Sequence, residues 1–308
     1  MYLGIMSAQF INAAVRPRFR ENGLPLRNTT GRLPLFFETA SRPAVDPNDP
    51  LGWMIAHARE LGLSAIEGHL DYKNPAEVDR IGNLLAKHNV KLGVDYWDNY
   101  FEPEKYKGPD EFLAFIRAVK PLGIRFIGTG VAPITLNRFV EDPPLEQQME
   151  TIVKGMAPLA QVAEAEGVYL GIENHADYRC VEIKRYIIDP LGSRHVGFKL
   201  DTGNCPLVID DVIDATEIAA PLCYSTHFKD MYVVPNCPEG AKVMGAPVGH
   251  GSLKLAQVGR MIAEQAPFPD ELILGIEIGW YPPNEDFFKW FEESVRWCHE
   301  TLGQYLTL

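Results

Sequence analysis

The sequence is poor in cysteine and gives its cysteines no framework. Cys180, Cys205, Cys223, Cys237 and Cys298 form no Cys-x-x-Cys pair and no regular spacing. That argues against a structural zinc knuckle, and the odd count fits a reducing compartment, so a cytoplasmic protein is expected. No apolar run approaches the roughly 20 residues that a membrane helix needs. No basic segment precedes the apolar start Met1-Tyr2-Leu3-Gly4-Ile5-Met6, which reads as a first strand rather than a signal peptide. Positive charge is also short: 29 Lys and Arg stand against 41 Asp and Glu, a net charge of −12. Such a surface repels phosphate backbones and anionic lipid, so neither nucleic acid nor a membrane is an expected partner.

What the sequence does have is a rhythm. After the first strand comes an irregular stretch, residues 7–50, rich in Arg, Asn, Thr and Pro. A loop of that length is usually functional or disordered, and its apolar clusters (Phe10-Ile11 and Leu35-Phe36-Phe37) favour an ordered lid or a partner surface. From Leu51 onward short apolar runs alternate with segments of helical period. Strands are expected at 65–68, 90–95, 124–128, 168–173, 196–201, 222–228 and 272–278. Helices are expected at 51–61, 75–88, 109–119, 144–166, 181–188, 208–219, 253–266 and 285–302. Counting the first strand, eight strands are each followed by a helix, the pattern of a parallel (β/α)8 barrel. No composition shift divides the chain, so residues 1–308 are read as one barrel domain with a long insertion after its first strand. Alternation inside the strands supports closure: Leu92 and Val94, Ile124 and Phe126, Phe198 and Leu200, and Leu274 and Ile276 are read as facing outward. The opposite positions are small or polar, namely Gly93 and Asp95, Lys199 and Asp201, and Gly275 and Glu277.

The strand ends carry the chemistry. In Gly171-Ile172-Glu173-Asn174-His175 the two polar side chains are two residues apart and share a face. Asp201, His227 and Glu277 end later strands in the same way. A barrel gathers such ends at one mouth, and three carboxylates with one imidazole form a mainly oxygen shell suited to Mn²⁺, Mg²⁺ or Co²⁺. Open coordination positions there would accept two neighbouring substrate oxygens, so the expected chemistry is polarisation of a carbonyl and stabilisation of an enediolate.

Five motifs carry a resemblance: Gly171-Ile172-Glu173-Asn174-His175, Leu200-Asp201-Thr202-Gly203-Asn204, His227-Phe228-Lys229-Asp230, Val248-Gly249-His250-Gly251-Ser252 and Leu274-Gly275-Ile276-Glu277. In this order the chain resembles the sugar phosphate isomerase/epimerase-like, or xylose-isomerase-like, TIM-barrel superfamily over its last half to two thirds. The resemblance implies that Glu173, Asp201, His227 and Glu277 are metal ligands, with Mn²⁺ the foremost ion. It also implies that Glu173 and Glu277 form the acid–base pair of an epimerase acting on a small carbohydrate. Two positions depart from the ketose epimerases: Asn204 stands where they carry a substrate-binding His, and Lys229-Asp230 where they place an Arg.

Those departures turn attention to His175, which is placed to act as a base or to orient a carboxylate. The Glu-x-His arrangement is similar to that of C-glycoside deglycosidase catalytic (alpha) subunits, which implies an alternative: a lyase on a 3-keto-sugar, by β-elimination, dehydration or decarboxylation. An abasic-site endonuclease or a non-catalytic subunit on the same barrel are further readings, the first disfavoured by the charge of −12. Lys199 and Lys229 could neutralise carboxylates or stabilise an oxyanion. Glu67, His69, Asn204, Lys229, His250 and Trp280 are candidate substrate contacts, and Asp95 and Trp97 candidate walls. A homo-oligomer, or a hetero-oligomer with a smaller subunit, is the expected assembly.

Overall fold

A computed structural model describes residues 1–15, 43–133, 135–237, 240–281 and 285–307. Eight parallel strands form its centre: β1 (Tyr2–Ile5), β2 (Ala65–Glu67), β3 (Lys91–Asp95), β4 (Phe126–Thr129), β5 (Tyr169–Glu173), β6 (Val196–Asp201), β7 (Cys223–Phe228) and, after a hairpin, β10 (Ile273–Ile276). Their order is β1-β10-β7-β6-β5-β4-β3-β2. The ring meets itself where Ser64 N donates to Leu3 O at 2.8 Å and Met6 bridges Glu67 in parallel. This is the (β/α)8 barrel expected from the alternation.

Around it lie α1 (Ser7–Val15), α2 (Pro50–His57), α3 (Pro75–His88), α4 (Gly108–Val119), α5 (Leu145–Glu166), α6 (Cys180–Ile183) continuing through a π-turn into α7 (Asp189–Leu191), α8 (Val212–Ala219), α9 (Leu255–Gln265) and α10 (Phe287–Leu302). Local chemistry sets their ends. Asn74 caps α3 by accepting from Glu77 N, and Asp286 caps α10 by accepting from Phe288 N and Lys289 N, each satisfying donors a first turn leaves free. The outward strand residues Leu170, Ile172, Phe198, Leu200, Leu274 and Ile276 are buried against the helices, and that apolar layer is the main source of stability.

Three expectations are corrected. Residues 7–15 are not loop: α1 buries Phe10 against Phe288 and Phe291, with ring centroids 5.4 Å and 5.1 Å apart, because Phe10 and Ala13 fall on one helical face. Residues 16–42 of the expected lid lie outside the described residues. The stretch after β7 is not plain loop either, since β8 (Asp230–Cys237) and β9 (Gly240–Ala246) pair antiparallel. Finally, Phe126 faces the barrel interior, two residues from inward Gly128. It packs with Tyr169 at 5.6 Å and Phe268 at 5.6 Å, while Ile127 takes the outward position. One residue of register separates the two readings, and a one-residue slip exchanges the faces.

Candidate metal centre

Register decides which strand ends meet. Glu173 pairs with Lys199, Asp201 with His227, and Gly275 with His227. Glu277, two residues beyond Gly275, therefore shares their face. Glu67 and Asp95 end β2 and β3 on the other side of the ring.

Lys199 forms the lower layer. Its Nζ lies 2.8 Å and 2.9 Å from the two Asp95 oxygens and 3.0 Å from Glu67 Oε2. Gly128 makes the space, since a Cβ there would sit 1.9 Å from Asp95 Oδ1 and 2.8 Å from Lys199 Cδ. Burial lowers the pKa of the ammonium, but Asp95, Glu67 and Glu173 outweigh it and hold the group well above its ordinary value. Lys199 is thus a buried cation balancing two carboxylates, and its amine is committed to them.

His227 forms the upper layer. Burial raises the Glu67 carboxyl, but Lys199 and His227 hold it below the usual carboxylate range. An ionised Glu67 can only accept, so His227 Nε2–H donates to Glu67 Oε1, at 2.8 Å. Nδ1 then points at Glu277 Oε2 (3.2 Å), Glu173 Oε1 (3.3 Å) and Asp201 Oδ2 (3.8 Å). It is buried and has no hydrogen-bond partner among the described residues. Burial and Lys199 lower the ring's pKa, but Glu67, Glu173 and Glu277 raise it well above the ordinary value, so without another cation the imidazole is charged. Burial likewise raises the Glu173 carboxyl, and the charges of His227, Lys199 and His175 overcome this and hold it at about 2.

The candidate ligand carboxylates are held from behind. Asp201 Oδ1 accepts from Gly203 N at 2.9 Å, and Oδ2 accepts from Asn204 Nδ2 at 2.7 Å. Asn174 clamps the Asp201 backbone, accepting from its N–H at 2.8 Å and donating to its carbonyl at 2.9 Å. Gln9 donates to Glu277 Oε1 at 2.9 Å. Lys229 Nζ contacts Asp201 Oδ2 at 2.8 Å and Glu277 Oε2 at 3.0 Å, beneath the Trp280 ring at 4.7 Å. Glycine at 203 permits this, because a Cβ there would meet Lys229 Cδ at 2.4 Å.

This donor set fits a divalent cation. Ligand atoms of Glu173, Asp201 and His227 lie within 4.8 Å of one another. Nδ1 is an orphaned buried nitrogen that a dication would complete in place of a proton, with the Glu67 hydrogen bond fixing its tautomer. Glu67, Asp95 and His227 form a second group of that size, but the Lys199 ammonium already holds both carboxylates there.

The other candidates are spread around the mouth. Asn204 and Lys229 are buried, Asn204 donating to Asp201 and Lys229 paired with Asp201 and Glu277. His69 and His250 are exposed. His175 lies two residues past Glu173, its ring edge-on to Trp97 at 5.5 Å and 88°, on a turn whose next residue, Ala176, has φ 55°. Sequence reasoning missed the supporting roles of Gln9 and Asn174 and the Glu67–His227 pair, whose members are 160 residues apart. Only Asn174 carried a local signal, as a polar residue interrupting the outward apolar series Leu170 and Ile172.

Comparison with known proteins places the chain. The family model of xylose isomerase-like TIM barrels matches residues 55–301. No curated protein sequence matches significantly. Among solved structures, a xylose isomerase-like TIM barrel protein from Mycobacterium smegmatis in complex with magnesium is 16% identical, covering 85% of this chain and 91% of that one, with a TM-score of 0.63. The 3-keto-D-glucoside 4-epimerase of E. coli gives 16% identity, 85% and 97% coverage and 0.63. The D-psicose 3-epimerase of Clostridium cellulolyticum H10, with D-tagatose, gives 12% identity, full coverage of both chains and 0.66. At these identities the solved structures speak for the fold alone, whereas the family model spans most of the chain; the chain belongs to the xylose isomerase-like TIM-barrel family.

Proposed function

We propose that this chain is a divalent-metal-dependent enzyme that removes a proton next to the carbonyl of a sugar or keto-sugar, as an isomerase or epimerase does. One observation carries the reading: His227 Nδ1 is buried without a hydrogen-bond partner among the described residues and faces Glu173, Asp201 and Glu277. Those four residues would hold the ion, and the oxygen-rich set favours Mn²⁺, with Mg²⁺ or Co²⁺ as alternatives. The bound ion would supply Lewis acidity to the carbonyl oxygen. Lys229 balances the excess negative charge, and Asn174, Asn204 and Gln9 fix the carboxylate orientations. Neighbouring structures of a keto-glucoside epimerase and a psicose epimerase support the carbohydrate class.

Proton transfer falls to His175 or to the Glu173–Glu277 pair. His175 is favoured, because it is not one of the four and lines the mouth beside Trp97, so it can take a proton without leaving an ion. A base of that kind also supports a second reading, β-elimination from a 3-keto-sugar. Incubation of the Mn²⁺-loaded protein with methyl 3-keto-β-D-glucoside and with free ketoses in D₂O separates the two. Deuterium at the carbon next to the ketone with the glycosidic bond intact supports epimerisation or isomerisation, and methanol release supports the lyase. Neither product from any substrate contradicts the proposed class.

A further inference from the structure

The turn that carries His175 is short and held at both ends. Before it, Asn174 is clamped to the Asp201 backbone. After it, the Tyr178 ring is fully buried, and its hydroxyl donates to Gln148 Oε1 on α5 at 2.6 Å. Gln148 in turn donates to the Pro143 carbonyl at 2.7 Å, and the Asp177 carbonyl accepts from Arg138 N at 2.9 Å. Between these anchors the Ala176 N–H closes on the Asn174 carbonyl at 3.0 Å. Ala176 takes a left-handed φ of 55°, a region that a residue with a Cβ seldom enters. The His175 ring makes no hydrogen bond to the described residues and meets Trp97 by its edge. Its place in the mouth is therefore set by the backbone of this turn.

Asp177, at the far end of the turn, differs from the other buried acids. It is 4% exposed. Its Oδ1 accepts from Tyr178 N at 2.7 Å, whereas Oδ2 is buried with no hydrogen-bond partner among the described residues. Elsewhere each buried acid is answered. Lys199 meets Glu67 and Asp95, Lys229 meets Asp201 and Glu277, and Arg138 meets Glu182 at 3.1 Å. Asp230 accepts from the N–H groups of Gly249, Gly251 and Leu253. The charged side chains on the elements around Asp177 are Glu173 at the end of β5, His175 on the turn, Arg138 before α5, and Arg179 and Glu182 at α6. Of the two guanidinium groups, Arg138 is bound to Glu182, and Arg179 Nε donates to the Val208 carbonyl at 3.2 Å. Burial pushes the Asp177 carboxyl from 3.8 up to about 7; the N–H groups of Tyr178, Asp177 and His175 oppose the rise, and Glu173 adds to it. Buried polar groups are nearly always paired, and an uncompensated group beside a strained backbone is a mark of functional positions.

We propose that Asp177 is a positioning residue for His175: as a neutral acid it holds the turn in the shape that presents the imidazole to the mouth, and as an anion it releases that shape. The neutral carboxyl stays buried and keeps the turn closed around Ala176. The anion is costly to bury and is repelled by Glu173, so it draws Oδ2 toward water and the strained turn opens. Asp177 touches no reacting atom and acts through the backbone that carries His175. Its part in turnover rests on the proposed function, whereas its coupling to the His175 ring is a structural claim that needs no substrate.

The test is a pH titration of the full chain in Mg²⁺, followed by NMR. The Asp177 carboxyl carbon is observed together with the Trp97 indole N–H, which reports the His175 ring lying against it. The Trp97 resonance should shift with the same midpoint as the Asp177 carboxyl, and Asp177→Asn should remove that step. In Mn²⁺, kcat for deuterium uptake into methyl 3-keto-β-D-glucoside should fall about tenfold per pH unit above that midpoint, with KM unchanged. Asp177→Asn should abolish the fall. An Asp177 carboxyl that titrates in the ordinary carboxylate range, a Trp97 resonance indifferent to it, or a step that persists in Asp177→Asn overturns the coupling. A fall in kcat that survives Asp177→Asn overturns the positioning role. No deuterium uptake at any pH, with the Trp97 step present, counts against the proposed function and leaves the coupling standing.

Discussion

Glu67→Gln offers the sharpest perturbation of the centre, because Glu67 touches no proposed metal position and acts through His227. In the native arrangement the carboxylate accepts from His227 Nε2 at 2.8 Å and contacts Lys199 Nζ at 3.0 Å. Both contacts fix the imidazole with its Nδ1 toward the three candidate ligand carboxylates. Glutamine has nearly the same shape but is neutral, and its amide can donate to Nε2 and leave the proton on Nδ1. Loss of a partner of this kind typically lowers metal affinity 10–100-fold, which is about 1.4–2.7 kcal/mol. Calorimetric titration of chelator-stripped protein with Mn²⁺ measures this directly, with circular dichroism as a check that the barrel is intact. Affinity within twofold of the parent would mean that Glu67 does not orient a ligand, and that His227 Nδ1 is not a donor to the ion.

Three more outcomes follow from the same geometry. His175→Gln should leave Mn²⁺ affinity unchanged and lower deuterium exchange at least about 100-fold, the lower range for loss of a general base; an active variant would assign the proton transfer to the glutamates. Lys199→Met strands Glu67 and Asp95 as buried carboxylates, so denaturant unfolding should show a loss of about 3–5 kcal/mol, and a loss below about 1 kcal/mol would refute the charge-balance role. Burial raises the Asp177 carboxyl from 3.8 to about 7. The unfolded chain loses that proton first, so stability falls as pH rises between those values, by at most about 4 kcal/mol. Asp177→Asn should therefore gain on the parent between pH 5 and pH 8 in urea midpoint, and a gap independent of pH would contradict the burial effect.

The strand and helix rhythm was legible because it depends on local periodicity. Val168, Leu170 and Ile172 alternate with Gly171 and Glu173, and the fold keeps that alternation. Faces were harder to read where both neighbours are apolar, as at Phe126 and Ile127, since nothing in a run of large hydrophobics marks which one faces the interior. Helix α1 was hidden because its apolar face is short and its packing partners, Phe288 and Phe291, lie at the other end of the chain. The four proposed ligands could be nominated from strand ends alone. Their support could not: Glu67 reaches His227 across the barrel, Gln9 reaches Glu277, and Lys199 binds Asp95, all through closure of the ring. Lys229 and Asn204 look in the sequence like substrate contacts, yet in the fold their polar atoms are committed to Asp201.

The central claim is that Glu173, Asp201, His227 and Glu277 form a cation site, and equilibrium dialysis of the stripped protein against Mn²⁺ tests it most directly. One ion retained per chain, and none in Asp201→Asn, is the predicted result. Retention of no Mn²⁺, Mg²⁺, Co²⁺ or Zn²⁺ by the folded parent would contradict it and leave Lys229 and a protonated His227 as the permanent counter-charges of the cluster.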